Sequence, residues 1–162
     1  MGAWPASVER VAAVVRGSSV DARLEEFPEG TATVADAARA VGCEPEEIVK
    51  SLLFICDGRP VLALLPGDRR ADPDKVARAA GARAARVARP EEVLAATGFE
   101  PGAVAPFPAS AVTRTLVENE LLEFEIVWAG AGSPRHVIGL APTDLARLAG
   151  AQPADLAEVR GA

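Results

Sequence analysis

The spacing of apolar positions changes several times along the chain, and each change marks a new element. Val8, Val11, Ala12 and Val15 fall on one helical face behind Ser7, so a helix is expected from about Ser7 to Arg16, closed by Gly17. Val20, Ala22 and Leu24 then alternate with Asp21, Arg23 and Glu25, the period of a half-buried strand ending at Phe27-Pro28. Thr33, with Asp36 three residues on, caps a helix that starts at Val34 and stops at Gly42. Pro45 opens a short turn, E-E-I-V, that runs into K-S-L-L-F-I-C. That run and V-L-A-L-L flank Asp57-Gly58, the strongest hairpin signal in the sequence. Both strands are apolar at nearly every position, so they belong in the middle of a sheet.

After the hairpin, Asp72-Pro73 caps a helix to about Ala80, closed by Gly81. A short strand near Ala85 to Ala88 and a helix from Pro90 through Ala96, ended by Gly98, follow. Phe99 to Ala109 carries three prolines and a glycine and reads as a loop, with few charges for a solvated one. Strands are expected at Val112 to Val117, Phe124 to Trp128 and His136 to Leu140, then a last helix, Asp144 to Leu148, capped by Thr143. The hairpin and the late strands lack crossover helices. The expected class is therefore α+β, on a mixed, mainly antiparallel sheet. At 162 residues, with no repeat or linker, the chain reads as one domain over 1–162.

Composition narrows the chemistry. The apolar fraction is 49% and the charged fraction 25%, ordinary for a soluble domain. Seventeen basic residues against 23 acidic ones give a net charge of −6, which argues against a broad basic face on nucleic acid but not against contact with one end of it. All the basic residues are Arg except Lys50 and Lys75. There is no Tyr, His136 is the one His, and Cys43 and Cys56 fit neither a zinc site nor a disulfide framework. A reducing cytoplasm is the expected compartment. The longest N-terminal apolar stretch, V-A-A-V-V, is too short for a signal core or a membrane span.

Three places could carry chemistry. Lys50 has Ile48 and Val49 before it and Leu52 to Ile55 after it, so it either snorkels off an edge or points into a cleft. A chain that otherwise prefers Arg keeps Lys here, as a cleft needing a compact point charge would require. The loop Gly102, Ala103, Val104, Ala105, Pro106 could offer rigid N–H donors to an ester carbonyl or its oxyanion, although a structural turn explains the same spacing. His136 follows A-G-A-G-S-P-R and reads either as a partly buried strand residue or as a site residue. No G-x-S-x-G elbow is present, and A-G-A-G-S lacks a P-loop Lys.

Taken in order, E-E-I-V-K-S-L-L-F-I, the D-G hairpin, D-P-D-K-V-A-R-A-A-G, E-E-V-L-A-A-T-G-F-E-P-G-A-V-A-P and S-P-R-H-V-I-G-L-A-P-T-D-L-A-R-L-A-G resemble the YbaK-type aminoacyl-tRNA deacylases. These are free-standing relatives of the editing domain inserted in bacterial prolyl-tRNA synthetase. The resemblance covers about Ser19 to Leu156 and is sharpest at the Lys with its following hydroxyl residue and at the G-x-x-x-P loop. It implies a mixed sheet partly closed into a barrel, flanked by helices. It also implies hydrolysis of the ester joining a wrong amino acid to the tRNA 3′ end. Lys50 matches the family's essential Lys, Ser51 the hydroxyl residue after it, and Gly102 to Pro106 the loop that holds the aminoacyl group, with His136 a further substrate-binding candidate. No metal or cofactor is implied, since an aminoacyl ester is already activated. The implied partners are the aminoacyl end of tRNA and an aminoacyl-tRNA synthetase, not a membrane.

The sequence departs from the family at Phe27-Pro28, where many members have His-Pro, and at Phe107-Pro108 after the loop. Ala103, Val104 and Ala105 suggest a pocket for Ala, Ser or Cys. Two other functions fit the same residues: a non-catalytic module that binds the aminoacyl end or a protein, and a small-ester hydrolase with no tRNA requirement.

Overall fold

The computed structural model describes residues 4–109 and 111–160. Its centre is the hairpin. Strands β2 (Ile48–Cys56) and β3 (Arg59–Pro66) pair antiparallel from Val49 opposite Pro66 to Cys56 opposite Arg59. Asp57 and Gly58 join them with φ of 50° and 82°, the two left-handed residues a type I′ turn requires. Around the hairpin stand β1 (Ala22–Glu26), β4 (Ala85–Val87), β5 (Arg114–Glu118), β6 (Val127–Gly130), β7 (His136–Leu140) and β8 (Ala151–Ala154). The sheet order is β1-β7-β6-β2-β3-β5-β8, with β4 also paired to β2.

The sheet is mixed, as expected. β2 pairs antiparallel with β3 and β4, and β7 with β1 and β6, while β2/β6, β3/β5 and β5/β8 are parallel. Closure is where the structure departs from expectation: β1 and β8 end the path and no ladder joins them among the described residues, so the sheet is open. Each terminal strand already pairs with one neighbour, β1 with β7 and β8 with β5, and their free edges do not meet.

Five helices flank the sheet: α1 (Ala6–Arg16), α2 (Val34–Val41), α3 (Pro73–Ala79), α4 (Pro90–Thr97) and α5 (Pro142–Ala149). Strand alternation sorts their packing. Val49, Leu53, Leu62, Leu64 and Val117 face a core with Val11 of α1, Ala96 of α4 and Leu145 of α5. Phe54, Cys56, Val61, Ala63 and Leu116 face Val76 of α3, and Ile48 packs with Ala37 and Ala38 of α2. The apolar character of β2 and β3 at nearly every position follows from this double coverage.

Caps fall largely where the sequence puts them. The Thr33 hydroxyl accepts from the Asp36 N–H at 3.0 Å, Asp72 accepts from Asp74 and Lys75, and Gly42 and Gly98 close α2 and α4 in the left-handed region. Ser7 lies inside α1, which starts after Pro5, and α5 begins at Pro142 rather than Asp144. Asn119–Glu123 is a 3-10 turn, so the strand expected from Phe124 begins at Val127. β8 was not expected: A-Q-P-A has no alternation, and Pro153 is tolerated because the strand is an edge.

Candidate functional site

The site grows out of a gap in the sheet. One edge of β2 is covered by β3 along its length. The other is divided: β6 pairs at Ile48 and Val49, and β4 pairs at Phe54 to Cys56. The Leu53 carbonyl accepts from the Ala88 N–H at 3.0 Å, leaving residues 50–52 with no strand beside them. A cavity of about 230 Å³ occupies this gap. Because it sits on a bare edge, side chains from both faces of β2 reach it, and Lys50 and Ser51 line it together.

Its far wall is the loop after α4. Gly102, at φ 84°, turns the chain so that Gly102 and Val104 line the same cavity. Gly130 lets the loop sit close to β6, since a Cβ there would stand 3.4 Å from the Val104 carbonyl oxygen. The remaining walls are mostly apolar, with Ile48, Val49, Trp128, Ala129 and Val137 from the sheet and Val34 and Ala37 from α2. The Trp128 ring lies on Gly139, where a Cβ would come within 2.7 Å of it.

Polar groups in the cavity are few, and most are engaged. Thr33 caps α2, and the Thr31 hydroxyl donates to the Pro134 carbonyl at 3.2 Å. Ser51 differs: its hydroxyl oxygen is buried and has no hydrogen-bond partner among the described residues. A hydroxyl left so costs roughly 1–3 kcal/mol, a debt a bound polar ligand would relieve. The Lys50 ammonium donates to the Arg69 carbonyl. Burial pushes the Lys50 pKa below the ordinary lysine value; Asp68 opposes that fall and Arg70 adds to it.

The structure thus gathers Lys50, Ser51, Gly102 and Val104 around one cavity. Ala103, Ala105 and Pro106 are buried under the loop and do not line it. The Ala103 N–H is also spent, donating to the Glu100 carbonyl at 3.0 Å, so the loop has fewer free amides than its sequence suggested. His136 is not brought to the cleft. Alternation along β7 turns Val137 to the cavity and His136 to the opposite face, where its Nδ1 lies 2.5 Å from the Ser133 hydroxyl and its ring meets Trp4 edge-on at 5.5 Å. Burial lowers its pKa. Phe27 lies outside the lining as well.

Trp128 and the Thr31–Val34 segment are lining residues that sequence reading did not find, whereas Val137 stands on the late strand where some members of the family place an Asp. Alternation marked Trp128 and Val137 as strand residues, but only the gap beside β2 turns them into walls. Neither cysteine lines this cavity; burial, then Glu47 and Glu44, push the Cys43 thiol up to about 11, and burial, then Asp57, raises Cys56. No helix among the described residues is long and apolar enough to cross a membrane.

Known proteins share this architecture. A solved structure whose name proposes trans-editing for prolyl-tRNA synthetase superposes with a TM-score of 0.88 at 36% identity, covering 97% of this chain and 100% of that one. The YwhH protein of Bacillus subtilis (strain 168), uncharacterised, is 34% identical over 123 residues, 75% of this chain and 78% of that protein. The proline–tRNA ligase of Nitratidesulfovibrio vulgaris (strain DP4) is 37% identical over 101 residues, 62% of this chain. That match spans only 18% of the ligase's length. Residues 28–148 match the aminoacyl-tRNA editing domain, and with most of its length inside that match the chain belongs to the aminoacyl-tRNA editing domain family.

Proposed function

We propose that the chain is an aminoacyl-tRNA deacylase that removes a small amino acid, Ala, Ser or Cys, from mischarged tRNA. The observation that carries this reading is the meeting of Lys50, Ser51, Gly102 and Val104 at one cavity in the gap beside β2. A space of about 230 Å³ with apolar walls suits an aminoacyl group with a short side chain. Apolar contact discriminates by only ~1–3 kcal/mol per methylene, so more than one small amino acid is accepted.

In this reading the Lys50 ammonium, fixed by the Arg69 carbonyl, supplies positive charge beside the ester. The unpartnered Ser51 hydroxyl accepts from the substrate's α-ammonium. The Val104 amide, which has no acceptor among the described residues, faces the carbonyl oxygen as it gains charge. The nucleophile is water, whose proton is taken up through the neighbouring ribose hydroxyl. It adds to the ester carbonyl, the carbon–oxygen bond to the tRNA ribose breaks, and that ribose oxygen takes up a proton. The products are free amino acid and tRNA with its 3′-terminal hydroxyls restored. Positioning and charge stabilisation suffice because the ester is already activated.

The test is a panel of Ala-, Ser-, Cys- and Pro-tRNA alongside the ethyl esters of the same amino acids. The proposal expects release from at least one small aminoacyl-tRNA, with the ethyl esters slower by a factor of ten or more. Equal turnover of the ethyl esters would make the chain a small-ester hydrolase. Tight binding without release from any substrate would make it a binding module.

A further inference from the structure

The far end of the hairpin carries a second cavity, of about 370 Å³, lined by Cys56, Asp57, Arg59, Ala82, Thr113 and Arg114, among others. Cys56 and Lys50 share one face of β2 six residues apart, so this cavity lies about 20 Å along the strand from the candidate site. Arg59 and Arg114 stand together because β3 and β5 are parallel neighbours with Val61 opposite Arg114. The Arg114 guanidinium donates to the Ala79 carbonyl at the end of α3, at 3.3 Å. Asp57 is the one carboxylate in the lining, and its two oxygens accept from the Arg83 and Ala84 amides at 2.9 and 3.1 Å.

Charge pairing sets this corner apart. Elsewhere most arginines have a carboxylate partner, as Arg16 has Glu9, Arg147 has Asp144 and Arg160 has Asp68. Arg59, Arg83 and Arg114 make no side-chain ion pair among the described residues, and neither does Arg78 on the last turn of α3. A protein of net charge −6 thus sets Arg59 and Arg114 in the lining of one cavity whose single carboxylate, Asp57, also feels the charges of Arg59 and Arg83. Guanidinium forks match phosphate oxygens, and several at one open surface suit a polyphosphate backbone better than a single small anion.

We infer that Arg59 and Arg114, with Arg83 near Asp57 of the same lining, grip backbone phosphates of the RNA whose 3′ end enters the Lys50 cleft. This rests on the tRNA reading of the cleft, and it adds where the body of that RNA lies. It also fits the overall charge, because a few phosphates at one corner need no basic face.

The test measures binding of an uncharged RNA hairpin with a single-stranded 3′ CCA end across a salt series, so it does not depend on catalysis. Wild type is expected to show a log–log slope of about −3. Arg59→Glu with Arg114→Glu should lose at least tenfold in affinity and flatten the slope by about two. Arg16→Glu with Arg147→Glu changes net charge equally and should lose less than about twofold. Thermal unfolding checks that each variant folds, and Arg59→Ala, a milder change at an exposed position, should lose about three- to fivefold. Unchanged RNA affinity in the Arg59 variants would overturn the inference. Equal losses in the two double variants would overturn it as a mere effect of net charge. Should wild type bind RNA through this corner yet release no amino acid, the deacylase reading fails and the RNA surface stands.

Discussion

The ammonium of Lys50 donates to the backbone carbonyl of Arg69, and Arg69 is itself clamped: the residue is 8% exposed, and its guanidinium is bonded to the Glu120 carboxylate and the Glu158 carbonyl. The cleft lysine is thus tied through Arg69 to the tail that follows β8. Arg69→Met should loosen that anchor. The expected result is a drop of about tenfold in kcat with KM changed little, and a loss of about 1–2 kcal/mol in stability, modest because Glu120 is a third exposed. Steady-state kinetics and denaturant unfolding check both.

Lys50 also predicts a pH profile. On the proposed reading its charged form is the useful one, so activity should fall as pH rises through its pKa, which burial holds below the ordinary lysine value. Asp68 holds that pKa up and Arg70 pushes it down. Asp68→Asn should therefore move the alkaline fall to lower pH, and Arg70→Ala should move it to higher pH. Rates of ester release across the alkaline range, corrected for uncatalysed hydrolysis, check the two opposite signs.

Gly139→Ala tests the cleft wall. The new Cβ would lie 2.7 Å from the Trp128 ring, which must shift. Such overpacking costs about 1–3 kcal/mol. Since Trp128 lines the cavity, tryptophan fluorescence should change and KM should rise several-fold.

Glu118 tests the far edge of the sheet. The residue is 3% exposed, and its carboxylate accepts from the Leu156, Ala157 and Glu120 amides at 2.8, 3.0 and 3.0 Å. Glu118→Ala leaves these amides without an acceptor and should cost about 2–4 kcal/mol. Hydrogen exchange should report early opening of β8, ahead of the hairpin.

The sequence made the hairpin and the caps of α2 and α3 legible, because each rests on local chemistry: D-G for the turn, Thr33 and Asp72 for the caps. Lys50, Ser51, Gly102 and Val104 were legible for another reason, the order of two motifs within a family. What stayed hidden depends on partners distant in the chain. The division of one β2 edge between β6 and β4 makes the cleft, and no local pattern encodes it. The same holds for the Arg69 anchor, for Trp128 as a wall, and for β8, whose A-Q-P-A carries no pattern and whose following Leu156 and Ala157 amides are held by the Glu118 carboxylate. His136 shows the reverse: a chemically suggestive residue that one step of strand alternation turns to the face opposite the cavity-lining Val137.

The most direct measurement is single-turnover release of amino acid from mischarged Ala-, Ser- and Cys-tRNA by wild type and by Lys50→Ala, with folding of the variant checked by its unfolding transition. The account predicts release from at least one of these tRNAs by wild type and a rate lower by about 100-fold or more in the folded variant, the scale on which removing one charge-stabilising group acts. Full activity in Lys50→Ala, or no release by wild type from any of the three, would contradict it.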